Sequence, residues 1–113
     1  MKNLDIKHVK IGPFTYDVKF VKDLKKPTGE KVGGSNSTKK MLIQIESQAH
    51  PRFQLRILLH EVIELMGYVS GLKRKILTKQ KLSMHEIASH LDVTLYQVLK
   101  DNPDLISLIG GEG

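Results

Sequence analysis

Pro51-Arg52-Phe53-Gln54-Leu55-Arg56-Ile57-Leu58-Leu59-His60-Glu61-Val62-Ile63-Glu64-Leu65-Met66-Gly67-Tyr68-Val69 is the stretch on which the architecture turns. Pro51 suits the first turn of a helix, where an N–H has no intrahelical acceptor, and Gly71 suits the residue just past the end. At about 100° per residue, Leu55, Leu58, Leu59, Val62, Leu65, Met66 and Val69 fall on one broad face, which must lie on a sheet. His60 and Glu64 fall on the opposite side, among Phe53, Ile57, Ile63 and Gly67 rather than among the Lys and Glu of a solvated face. The expectation is a helix covered on both sides, with His60 and Glu64 inside or lining a cleft.

His60 and Glu64 are four apart, so they stack one turn apart on the same face and can point at one ion. Glu61 is rotated by about 100° and reaches a water on that ion without ligating it, the logic of the HExxH helix in which the Glu is general base. Here Glu64 stands in the second His position, and carboxylate is also a zinc ligand. An ordinary i,i+4 contact, or a buried hydrogen-bonded pair, is the plainer account of the same spacing. Tyr68 lies near the His60–Glu64 side, as an oxyanion donor or as a core or cleft-lining ring. There is no cysteine, so disulfides and thiolate ligands are excluded and any metal must be held by His, Asp or Glu.

Working outward, Leu4–Ile11 alternates apolar with polar residues and reads as a half-buried strand. Gly12-Pro13 is a turn, and Phe14–Val21 is a second strand that completes a hairpin. Residues 22–40 hold Pro27, Gly29, Gly33 and Gly34 with Lys22, Lys25, Lys26, Lys31, Lys39 and Lys40, and read as a basic flexible loop. Residues 41–47 form a third strand. The central helix takes 51–70, followed by a basic connector from Leu72 to Leu82, partly helical. Ser83 caps a second helix, 83–101, with Glu86 completing a capping box. Pro103–Ile109 adds one short turn, and 110–113 is a frayed tail.

On the second helix the apolar face holds Met84, Ile87, Ala88, Leu91, Leu95, Val98 and Leu99. His85 and Asp92 sit at its edge, where a neighbouring helix meets it. His85 is accordingly the candidate third ligand; a His/Glu/His set plus water is a catalytic-type zinc site with an open position. A polar residue in a helix first turn is the plainer role for His85. Asp92 is a candidate acceptor for a ligand His or a solvated Asp, and His8, His50 and His90 are read as solvated.

The 113 residues suit one α+β domain, with 40% hydrophobic and 27% charged residues. A net charge of +6 favours acidic partners or nucleic acid through long-range attraction. Lys73-Arg74-Lys75 with Lys79 and Lys81 forms a second basic cluster that suits phosphate contact, but no aromatic residues are interleaved to stack bases. No apolar targeting segment opens the chain and no run spans a bilayer, so a cytoplasmic protein without membrane contact is expected.

Leu58-Leu59-His60-Glu61-Val62-Ile63-Glu64, His85 after a spacer, and Leu95-Tyr96-Gln97-Val98-Leu99-Lys100-Asp101-Asn102-Pro103 resemble a family of small phage and prophage proteins similar to minimal ImmA/IrrE-type zinc metallopeptidases. The resemblance covers about residues 41–103 and, in outline, the N-terminal third. It implies a zincin-like fold: a three-stranded sheet packed on a metal-site helix and a second long helix. It also implies a zinc ion on His60, Glu64 and His85, Glu61 as base, and a peptide or protein substrate pairing with the strand Met41–Glu46. The departure is Glu64, where the peptidase pattern has His; an anionic ligand reduces the metal's Lewis acidity and raises the pKa of bound water. The rival expectation is a non-catalytic phage accessory or regulatory protein that holds a host protein or nucleic acid through its basic surface.

Overall fold

The computed structural model describes residues 2–79 and 81–111. Four strands, β1 (His8–Ile11), β2 (Phe14–Val21), β3 (Gly34–Ser37) and β4 (Leu42–Glu46), precede four helices, α1 (Pro51–Val69), α2 (Leu72–Thr78), α3 (Met84–Asp101) and α4 (Pro103–Gly111). The α+β class holds. The sheet is mixed, in the order β1-β2-β4-β3, with β2 and β4 parallel and both outer pairs antiparallel.

Alternation along the strands builds the core. Val9, Ile11, Tyr16, Val18, Ile43 and Ile45 are buried on one face, and Leu55, Leu58, Val62, Leu65 and Met66 of α1 pack against them. These are the α1 core residues the 3.6-residue period predicts, with Leu59 and Val69 only partly buried at the margin. Gly12 turns the β1–β2 hairpin with φ of 60°, the left-handed region that favours glycine. A Cβ there would also lie 2.5 Å from Val69 Cγ1, so the turn can sit against α1 only as glycine.

The sheet has four strands rather than three. The extra strand lies in segment 22–40, expected to be a loop, and the stretch before it is also anchored. Leu24 is buried, its N–H donates to Glu46 Oε1 at 2.9 Å, and Lys25 bridges to Lys31. Because β3 lies outside it, β4 is flanked on both sides and offers no edge to a peptide, contrary to expectation.

The capping box of α3 is present: Ser83 Oγ accepts from Glu86 N at 3.1 Å, and Glu86 Oε1 from Ser83 N at 3.2 Å. Its expected apolar face is only partly used. Val98 is the single buried residue of α3, and Met84, Leu95 and Leu99 are exposed. Pro103 starts a full helix rather than one turn, held by buried Leu105. Of the expected tail, Gly110 and Gly111 end α4, and 112–113 lie outside the described residues. No described helix is long and apolar enough to cross a membrane.

Candidate metal centre

β3 positions the site. Residues directly opposite in a ladder point their side chains to the same face. Asn36 pairs with Ile43 and Gly34 with Ile45, and both isoleucines face α1. Asn36 therefore reaches α1, and its Nδ2 donates to Glu61 Oε1 at 2.7 Å and to Glu64 Oε1 at 3.0 Å. At Gly34 the strand comes so close that a Cβ would lie 2.4 Å from Ile57 Cγ2 and 3.2 Å from Glu61 Oε2.

The His60–Glu64 spacing produces the expected contact, with His60 Nε2 and Glu64 Oε2 2.9 Å apart. One ligand atom each from His60, Glu61 and Glu64 lie within 4.8 Å of one another. Of the two expected placements, inside the protein or lining a cleft, His60 and Glu64 take the second. The side chains of His60 and Glu64 are 67% and 54% exposed, whereas Glu61 is 5% exposed. Phe53, Ile63 and Tyr68, whose apolar character suggested a second covering layer, are exposed as well. They line open grooves instead.

Burial is the main influence on Glu61 and raises its pKa; Asn36's hydrogen bond opposes this, Glu64's charge adds to it and His60 opposes it. Tyr16, packed in the core, is also raised by burial, with a smaller contribution from Tyr68.

His85 is exposed in the first turn of α3 and stands outside the His60–Glu61–Glu64 group. The reason is where α3 docks. α3 packs on α1 and β1: its His90 Nδ1 lies 3.5 Å from Ser70 O at the α1 C-cap, and its Gln97 reaches Lys10 O of β1. His60 is ten residues back from Ser70, about 15 Å along the helix axis. Helical periodicity fixes which face His85 occupies, not where along α1 that face lands. Asp92 is exposed and its carboxylate accepts from the neighbouring Val93 N–H. His50 is exposed, as expected, and also caps α1 by accepting from Arg52 N.

Two grooves flank the group. One, of about 420 Å³, is lined by Gly33, Gly34, Phe53, Ile57, His60 and Glu61 among others. The other, of about 660 Å³, includes Asn36, Lys39, Glu64, Tyr68, Lys73 and Ile76. The three ionisable side chains thus stand between two clefts along the outer strand. Asn36 is the site residue that sequence reasoning missed. It lies in Gly33-Gly34-Ser35-Asn36-Ser37, which carries no apolar alternation, and only the ladder register reveals its direction. No protein-family model, curated protein or solved structure matches the chain.

Proposed function

We propose that this chain is a zinc-dependent, metallopeptidase-like hydrolase of zincin type, working on an extended peptide laid along β3. The observation that carries the reading is the convergence of His60, Glu61 and Glu64 between two grooves. The donor types suit the ion: imidazole nitrogen and carboxylate oxygen are both zinc ligands, and one such atom from each of His60, Glu61 and Glu64 lies within 4.8 Å of the others. His60 and Glu64 would hold it, with water completing the shell.

A bound zinc ion supplies Lewis acidity and lowers the pKa of a coordinated water. Glu61, sheltered and steered by Asn36, takes the proton from the attacking water. Tyr68, one turn beyond Glu64, would donate to the developing oxyanion. The outer edge of β3 offers backbone groups to an extended chain, the role first expected of Met41–Glu46. His85 has no place in this reading.

Elemental mass spectrometry of the purified, untagged protein tests it. About one zinc per chain is expected in the parent and in His85→Ala, and none in His60→Ala or Glu64→Gln. A parent that stays metal-free after incubation with zinc would sink the proposal. One observation favours the rival, a non-catalytic accessory protein binding a host protein or nucleic acid. Asn36, Glu61, Glu64 and His60 form one linked hydrogen-bonded set, in which the acceptor atoms are partnered by protein groups. Full biological effect in Glu61→Gln would support that rival.

A further inference from the structure

The groove beyond Glu64 has a shape and charge that the chemistry at His60 and Glu61 does not explain. Gly67 lies inside α1, where glycine is the poorest helix former apart from proline. A Cβ built on it meets nothing within 4 Å. The position is open space beside Glu64, and the glycine keeps it open. Around it, Ile63, Tyr68 and Ile76 are large apolar side chains, each more than half exposed.

Charge in the groove is mixed but mostly positive: Lys39, from the turn after β3, and Lys73, from α2, line it together with Glu64. No acidic residue occurs between Glu64 and Glu86, or between Glu30 and Glu46, so nothing local in sequence offsets those lysines.

We infer that this groove selects its peptide: it takes a bulky apolar side chain over Gly67, between Ile63, Tyr68 and Ile76, followed closely by an acidic side chain held by Lys39 and Lys73. The inference rests on reading the cleft as a peptide site, though not on the metal. The open outer edge of β3 runs beside the groove and supplies main-chain hydrogen bonds without regard to sequence. Apolar fit and charge complementarity then supply the discrimination.

Fluorescence anisotropy on the full chain, with and without zinc, tests the inference. The probes are four labelled, C-terminally amidated dodecapeptides carrying leucine or glycine at one position and glutamate or lysine two residues later. The leucine–glutamate peptide should bind about tenfold more tightly than the other three, roughly the effect of one well-placed contact. Lys39→Glu with Lys73→Glu should reverse the preference to lysine. Lys25→Glu with Lys26→Glu, an equal change of net charge away from the groove, should leave it intact. Gly67→Leu should abolish the preference for leucine while the melting temperature holds or rises.

Equal binding of all four peptides, or selectivity indifferent to both groove variants, would overturn the inference. Loss of acidic preference in the Lys25/Lys26 variant would do so too, by showing that net charge alone is at work. Selectivity that persists in a protein unable to hold zinc would uphold this inference while defeating the hydrolase reading.

Discussion

Glu61 is the single buried acidic side chain among the described residues, and its burial favours the neutral form. Gln54, two turns earlier on the same face, shows the contrast. It too is buried, but its amide is matched by Leu4 N, Asn3 Oδ1 and Ser47 O. Glu61's raised pKa means the folded state holds a proton more tightly than the unfolded chain. The resulting penalty is absent below the unfolded pKa of about 4.3, grows as the pH climbs toward the raised folded value, and is complete above it. Glu61→Gln keeps an acceptor for Asn36 and removes the buried charge. With a chelator present it should stabilise the protein at pH 7.5 by roughly 1 kcal/mol, and the gain should fade toward pH 4. Thermal melts at both pH values check this; a destabilised variant at pH 7.5 would show that the carboxylate is structural. Stability gained by removing an ionisable group is what a site kept for chemistry would show.

Between elements, the decisive contact is β3 against α1. Gly34→Ala places a methyl on Ile57, whose β-branched side chain has few alternative rotamers. The expected cost is about 1–3 kcal/mol from overpacking, accompanied by withdrawal of Asn36 from Glu61 and Glu64. Denaturant unfolding measures the first and weakened zinc binding the second; an unchanged midpoint would mean that Ile57 yields freely. This contact was also the least legible in the sequence. Strands β2 and β4 announce themselves by alternation, α1 by its 3.6-residue stripe and α3 by the Ser83–Glu86 capping box, because those signals are local. Gly34–Ser37 has no such signal; pairing with β4 and close approach to α1 make it a strand. The His60–Glu64 pair was readable for the same local reason. The position of His85 was not, since it depends on where α3 docks. The expected second layer over α1 failed because Phe53, Ile63 and Tyr68 border grooves rather than core.

Across the molecule, the two edges of the sheet are treated differently. At β1, Asn102 Oδ1 accepts from Lys10 N at 2.7 Å and its Nδ2 donates to Lys10 O at 2.8 Å, so a side-chain amide stands in for a neighbouring strand. The same Nδ2 donates to Val98 O, and Gln97 bonds to both Gly12 N and Lys10 O. At β3 no further strand follows among the described residues, and the edge lies beside the grooves. Asn102→Ala should cost about 2–3 kcal/mol, since it strips partners from sheltered backbone groups. Paired with Gln97→Ala it should also promote self-association through the uncovered edge, measurable by light scattering; a monomeric double variant as stable as the parent would contradict this account. The tie between Lys10 and Asn102 spans 92 residues of chain. Domains form as they leave the ribosome, N-terminal parts first, so β1 emerges long before the amide that seals it. A nascent chain stalled anywhere short of residue 102 presents a bare strand to its neighbours, and the hazard of misassembly belongs to synthesis more than to the finished protein.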